Sequence, residues 1–148
     1  MDPSSLMEFR KQLQIEPLRD VAHSTALLFR VALTAPAVFE FTAPSSADRH
    51  RDALAVFHDT TSSDPAISRI PGHEIGAHLY EAIARFLDSL GVPRGLKAVG
   101  YAHSDIDALV TGTLPQRRVL DLAPGIGDVA GADGREHLAR IIERSMEY

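Results

Sequence analysis

The chain has 148 residues, of which 45% are hydrophobic and 24% charged, values typical of a single globular domain with a substantial core. Its net charge is −5 and no segment concentrates Lys and Arg, which argues against a nucleic-acid-binding surface. The absence of cysteine excludes disulfides, thiolate metal sites and cysteine nucleophiles. No apolar run is long enough to span a bilayer and no secretory signal is recognisable, so a cytoplasmic protein without membrane association is predicted.

The first half of the chain is predicted to form helices that proline and serine interrupt. A short helix is expected over residues 6–14, and a second one over residues 19–33. Pro36 is expected to kink or end this second helix, because proline lacks the backbone N–H that the helix needs. Ser45 begins a pattern that resembles a capping box, which predicts a third helix over residues 47–58.

The second half of the chain contains the clearest amphipathic pattern. Residues 59–72 are rich in Thr, Ser, Asp, Pro and Gly and are predicted to form a loop. Residues 73–90 follow with apolar positions three and four apart, which predicts a helix with one buried stripe. That stripe comprises Ile75, Leu79, Ile83, Phe86, Leu87 and Leu90. Gly91 is placed to end this helix in a left-handed conformation.

Further helices are predicted toward the C-terminus. Ser104 has an acid three residues later and is expected to cap one of them. A flexible glycine-rich connection over residues 125–134 is expected to lead into a last helix from about Arg135. The only strand candidates are the short segments 38–41 and 119–122, so we predict an all-α, bundle-like domain of five to seven helices.

Seven histidines raise the possibility of a metal site. His73 and His78 flank a sequence that looks like a zinc-protease motif, in which two histidines four residues apart bind one ion. Here they are five residues apart, and at 100° per residue their side chains diverge by about 140°. A metal shared by this pair is therefore not predicted. The remaining histidines considered for a role, which we expect to be packed or solvated instead, are His50, His58, His103 and His137.

Residues 119–127 (VLDLAPGIG) resemble the first motif of methyltransferases that use S-adenosylmethionine. That fold needs further βα units and an acidic residue about 20 positions later, whereas only a loop and one helix are predicted to follow. A methyltransferase is kept as a third alternative. The chain has no Gly-Lys-Ser/Thr sequence, which excludes a P-loop, and the residues alone do not identify a complete active site.

Six stretches, in this order and spacing, are characteristic of one enzyme family. They are residues 33–43 (LTAPAVFEFTA), 86–93 (FLDSLGVP), 95–101 (GLKAVGY), 105–110 (DIDALV), 112–116 (GTLPQ) and 122–124 (LAP). From about Val31 onward the chain resembles the C-terminal helical domain of iron-containing alcohol dehydrogenases, and its nearest branch is that of the hydroxyacid–oxoacid transhydrogenases. Residues 31–148 are accordingly interpreted as this domain, and residues 1–30 as an unmatched helical segment.

The resemblance implies an oxidoreductase that uses iron or zinc, together with NAD(P), to oxidise an alcohol or a hydroxy acid. In the family one Asp and three His bind the metal, and the last His would fall at position 27, which Leu27 occupies. His23, followed by Ser24 instead of Gly, is the single, partial metal-ligand candidate. No catalytic or cofactor-binding residue is assigned. The chain is expected to be a truncated family member, inactive by itself and without a cofactor of its own.

An alternative hypothesis is a non-catalytic helical module or a subunit fragment that pairs with a partner chain. A helical domain separated from its neighbours would expose apolar surface, which favours association. Under this hypothesis the partner is another chain or a second copy, and it is neither a nucleic acid nor a membrane.

Overall fold

The structure, a computed structural model, describes the backbone of residues 19–148 and the side chains of residues 31–148. This part contains seven α-helices, three short 3-10 helices and no strand, which confirms the all-α prediction. The α-helices are α1 (Arg19–Thr42), α2 (Ala47–Phe57), α3 (Pro65–Ser68), α4 (Ile75–Ser89), α5 (Ile106–Thr113), α6 (Arg117–Leu120) and α7 (Ala132–Arg144). The 3-10 helices are Ala43–Ser45, Lys97–Val99 and His103–Asp105. The helix predicted over residues 6–14 lies outside the described residues.

Helix α1 continues through Pro36 and ends only at Thr42. An interior proline removes one hydrogen bond and costs about 3 kcal/mol in an isolated helix. Here Pro36 is fully buried, and α1 packs against both α4 and α7, which offsets that cost. Of the two outcomes predicted for Pro36, an end of the helix is therefore excluded and a kink stays a prediction. The strand candidate 38–41 is wrong, because these residues are part of α1.

The core consists of two hydrophobic clusters on either side of α1. The α7 cluster comprises Leu33, Leu96, Val110, Leu120, Ile126, Val129, Leu138, Ile142 and Met146. The α4 cluster comprises Leu54, Ala55, Ile67, Ile75, Leu79, Ala82, Ile83 and Leu87, with Ala32 and Ala35 of α1 packed against it. Because neighbouring residues of α1 contact different clusters, this helix joins the two halves of the core.

Helix α4 largely follows its predicted pattern. It starts at Ile75, ends at Ser89, and is followed by Gly91 with a φ of 71°, which confirms the predicted left-handed stop. Most of its apolar stripe is buried, but Phe86 and Leu90 are exposed, contrary to prediction. Helices α1 and α2 cover one side of α4, so the stripe of buried residues is narrower than the stripe of apolar residues in the sequence.

The predicted loop over residues 59–72 contains the short helix α3. The Asp64 side chain caps α3 by accepting a hydrogen bond from the Ala66 N–H at 2.7 Å. Because it accepts this bond and a second one from the Thr60 hydroxyl, the pKa of Asp64 is lowered. Arg51 of α2 donates hydrogen bonds to the carbonyls of Ile67 and Ile70 at 2.8 and 2.9 Å. These bonds hold the segment against α2.

Both predicted capping boxes are incorrect. Ser46 rather than Ser45 precedes α2, and it makes no side-chain cap. Before α5 the chain forms a 3-10 turn, in which an Asp105 carboxylate oxygen accepts from the Ala102 N–H at 2.8 Å. Ser104 lies inside this turn, so it cannot act as the cap of α5. Before α5 the extra 3-10 turn shifts the start of the helix to Ile106, whereas α2 starts at Ala47 as predicted.

The C-terminal part also differs in detail from the prediction. Residues 119–122 belong to α6 and the turn after it rather than to a strand. The glycine-rich connection is shorter than predicted, because α7 already starts at Ala132 and includes Gly134. A Cβ on Gly134 would lie 2.5 Å from the Asp128 carbonyl oxygen. The glycine therefore allows the incoming chain to pack directly against the first turn of α7.

Gly76 allows α1 and α4 to approach each other closely. A Cβ at this position would lie 2.7 Å from the Glu40 carbonyl oxygen and 3.1 Å from the Ala43 Cβ. The nearest obstacle is backbone, which cannot rotate away as a side chain can. The separation of the two helices is thus set by the absence of a side chain at Gly76.

We predict that Gly76→Ala destabilises the protein by about 1–3 kcal/mol, because the added methyl group forces α1 and α4 apart. The matched control is Gly112→Ala in α5, where a Cβ meets nothing within 4 Å. That change should be neutral or stabilise by up to about 1 kcal/mol, because alanine is the better helix former. Urea unfolding of both variants tests the prediction, and an equal effect of the two substitutions would contradict it.

Candidate functional site

Three helices meet at Tyr80, whose side chain is 2% exposed. The Tyr80 hydroxyl, on α4, donates to the Arg144 carbonyl oxygen of α7 at 3.3 Å. The Arg144 guanidinium lies over the Tyr80 ring, with its Cζ 3.8 Å from the ring centroid. Arg144 Nε also donates to Glu40 Oε2 of α1 at 2.7 Å. We call this group of Glu40, Tyr80 and Arg144 the three-helix junction.

The environment of the junction shifts the protonation equilibria of two of its members. Burial raises the pKa of Tyr80, because the phenolate would lose its hydration. The hydrogen bond that Arg144 donates to Glu40 raises the pKa of Arg144, so the guanidinium stays charged. A neutral phenol and a paired guanidinium are groups that hold helices together. They do not form a pair of an acid and a base poised for proton transfer near neutral pH.

An open groove of about 1010 Å³ runs between α1 and α7. Its walls include Phe41, Lys97, His103, Arg140 and Met146. Several of its charges are already paired within the chain, and the lining contains no serine, threonine or cysteine. The groove can present mixed charge to a ligand, but it offers no hydroxyl or thiol nucleophile from serine, threonine or cysteine.

Two side-chain contacts lie among the residues that line this groove. Lys97 Nζ lies 2.9 Å from Glu147 Oε2, and this bond lowers the pKa of the Glu147 carboxyl. His103 Nδ1 lies 3.0 Å from Glu143 Oε1. All four side chains are substantially exposed, so solvent screens both contacts and they add little to stability.

Two of the histidines singled out in the sequence have structural roles. His50 is buried, its Nδ1 donates to the Ser46 carbonyl at 2.9 Å, and its Nε2 lies 2.9 Å from the Thr42 hydroxyl. His137 Nδ1 donates to the Ile126 carbonyl oxygen at 3.0 Å. Both were predicted to be packed or solvated, and both are packed. Their hydrogen bonds fix the turns that follow α1 and precede α7.

The remaining histidines do not assemble a metal site. His73 lies 3.5 Å from its neighbour Glu74, and His58 and His78 are exposed. Across residues 31–148, no group of three or more His, Asp or Glu side chains could hold a metal ion. The side chain of His23 lies outside the described residues, so its assignment as a partial metal-ligand candidate stays a prediction. The side chains that are described do not fit the iron or zinc centre that the family resemblance implies.

The methyltransferase-like segment has a different geometry from the motif it resembles. In such a motif a buried strand leads into the glycine turn. Here the glycines Gly125 and Gly127, with φ of 80° and 73°, follow the short helix α6, and residues 19–148 contain no strand. The segment therefore closes a helical turn, and the cofactor-binding geometry of a methyltransferase is not formed.

The sequence did not reveal the three-helix junction. Glu40 and Arg144 are 104 positions apart, and neither belongs to a local motif that predicts their contact. The sequence gives only a partial indication of this contact, which is that Tyr80 lies one helical turn after Gly76 on α4. No helix within the described residues is long and apolar enough to cross a membrane.

Comparison with known proteins identifies relatives over most of the chain. A probable mitochondrial hydroxyacid–oxoacid transhydrogenase of Dictyostelium discoideum is 46% identical over 94 residues, which cover 64% of this chain and 16% of that protein. The mitochondrial hydroxyacid–oxoacid transhydrogenases of Xenopus tropicalis and Homo sapiens are 42% and 41% identical over 117 residues, or 79% of this chain. The matched residues make up 23% and 22% of the full lengths of these two relatives. No protein-family model and no solved structure matches the chain.

These relatives are members of the iron-containing alcohol dehydrogenase family, so the resemblance that the motifs indicated is confirmed. Within that family the chain is similar to the hydroxyacid–oxoacid transhydrogenases. The chain spans less than a quarter of the length of these relatives.

The prediction of a cytoplasmic location is wrong by this comparison, because the relatives are mitochondrial proteins by name. The prediction was based on the lack of a secretory signal. That observation does not distinguish the cytoplasm from an organelle, and it concerns only the residues at one end of this sequence.

Proposed function

We propose that the chain forms the C-terminal helical part of an oxidoreductase of the hydroxyacid–oxoacid transhydrogenase type. In such a reaction a hydroxy acid is oxidised and an oxo acid is reduced by transfer of a hydride. The observation that carries the proposal is the 42% identity over 117 residues to the Xenopus tropicalis enzyme. The helical fold of residues 19–148 agrees with the helical domain that the family resemblance implies.

In this role the described residues act as a scaffold. Gly76 sets the spacing of α1 and α4, and the three-helix junction ties both helices to α7. His50 and His137 stabilise turns through hydrogen bonds to backbone carbonyls. A rigid helical unit of this kind positions the parts of an enzyme that carry its chemistry.

We also infer that these 148 residues alone bind neither the family's iron or zinc nor NAD(P), and do not transfer hydride. Two features support this inference. Leu27 occupies the position at which the family resemblance places the last metal-binding histidine. The side chains of residues 31–148 contain no group with three or more metal ligands.

The first test is an assay of hydride transfer. The purified chain is incubated with 4-hydroxybutyrate or a related hydroxy acid as donor and an oxo acid as acceptor, with iron or zinc supplied. We expect no turnover above background, whereas full-length human hydroxyacid–oxoacid transhydrogenase serves as the positive control. Turnover by the chain alone would refute the inference of inactivity, but it would leave the proposed reaction class intact.

A second candidate function is a non-catalytic interaction module, and one surface favours it. Phe57 and Phe86 are 41% and 48% exposed, and their rings meet edge to face with centroids 5.8 Å apart. Leu90, four residues after Phe86 and directly after the end of α4, is 62% exposed. Adjacent apolar side chains that stay exposed favour association with another protein surface. We call these three residues the Phe57–Phe86 patch.

Sedimentation velocity tests this second function. If the patch mediates association, the wild-type chain should show a mass that increases with concentration, and Phe86→Gln should weaken the association about tenfold or more. Leu122→Gln is the matched control, because Leu122 is 81% exposed but lies outside the patch. A wild-type chain that stays monomeric at high concentration would count against self-association through this surface.

A further inference from the structure

Residues 145–148 follow α7 and are bonded to the segment before the second 3-10 helix. The Leu96 N–H donates to the Ser145 carbonyl at 2.9 Å, and the Lys97 N–H donates to the Met146 carbonyl at 3.0 Å. Arg94 Nε donates to the Tyr148 carbonyl oxygen. We call residues 145–148 the clasp, since it is attached by backbone bonds at successive positions.

The clasp contacts both halves of the core. Met146 is buried in the α7 cluster, to which Leu96 also belongs. Tyr148 packs against the α4 cluster, and its ring meets the Tyr80 ring edge to face at 6.0 Å. Two residues of one short segment thus bridge clusters that also meet across α1 and at Val92.

Gly95 makes the close approach of the clasp possible. Its φ of 80° lies in the left-handed region that glycine adopts without strain. A Cβ at this position would lie 2.6 Å from the Met146 carbonyl oxygen and 2.9 Å from the Glu147 Cα. The clasp can therefore form its backbone bonds only beside a residue that has no side chain.

The clasp also forms part of the wall of the groove. Met146 and Glu147 line it together with Lys97, and the exposed ion pair between Lys97 and Glu147 spans its edge. Removal of the clasp from Leu96 and Lys97 would take Met146 and Glu147 out of this wall. The shape of the groove therefore depends on whether the clasp is closed.

We propose that the clasp is a conformational device that opens locally, removing one of the contacts between the two core clusters and widening the groove while α1 and α4 stay folded. Its attachments are two backbone bonds, the buried Ser145 and Met146, the packing of Tyr148 and exposed polar contacts, whereas α4 buries eight residues along its length. Segments with few attachments open below the free energy of global unfolding. The proposal does not depend on the reaction that the whole protein performs.

Native-state hydrogen exchange of the wild-type chain is the first test. The amides of Leu96 and Lys97 report on the clasp, and those of Leu79 and Ile83 report on α4. Under conditions in which closing is faster than chemical exchange, we expect the clasp amides to exchange at least about tenfold faster than those of α4. Equal exchange rates, after correction for intrinsic rates, would mean that the clasp opens only with the whole domain and would overturn the proposal.

A matched pair of variants gives the second test. Gly95→Ala adds a methyl group against the clasp, whereas Gly100→Ala is placed at a similar positive φ of 99° with nothing within 4 Å. Both carry backbone strain, so their difference isolates the contact with the clasp. We expect Gly95→Ala to accelerate exchange at Leu96 and Lys97 about tenfold or more over Gly100→Ala, with equal rates in α4 for both variants.

Two results would overturn the proposal. The first is equal exchange at Leu96 and Lys97 in the two variants. The second is an acceleration in α4 by Gly95→Ala as large as that in the clasp, because the opening would then be global. If Gly95→Ala does not fold at all, the wild-type comparison of the clasp amides with those of α4 decides the proposal.

Discussion

The described domain depends on the way in which α1 is held between α4 and α7. The backbone of α1 contacts Gly76 of α4 so closely that a single methyl group would not fit. One helical turn after Gly76, the Arg144 guanidinium covers the ring of Tyr80 and also binds Glu40. Steric contact and an ion pair thus fix the same helices, and the two hydrophobic clusters form on either side of the helix that they hold.

The fold was predictable from the sequence where the signal is local. The three-to-four spacing in residues 73–90 and the stop at Gly91 gave α4 with its correct C-terminal end. The passage of α1 through Pro36 was not predictable, because it depends on burial of that proline between distant helices. The exposure of Phe86 has the same cause, since periodicity identifies an apolar face but does not tell how much of it a neighbour covers.

Little of the candidate site was predictable from the sequence. The five-residue spacing of His73 and His78 argues against a metal that they share, and this stays a prediction. The hydrogen bonds of His50 and His137 could not be foreseen, because their acceptors are backbone carbonyls in turns. Motif similarity gave the family correctly, whereas composition could not give the compartment. Local sequence patterns therefore indicate the family and the positions of the helices, whereas the role of each side chain depends on tertiary contacts.

We propose that this chain contributes the scaffold of a transhydrogenase-type enzyme and not its metal centre. The most direct test is metal analysis of the purified chain after expression with added iron and zinc and dialysis against buffer without chelator. We expect less than about a tenth of an equivalent of either metal per chain, because tight binding needs three or four converging ligands. One tightly bound equivalent of iron or zinc per chain would contradict it.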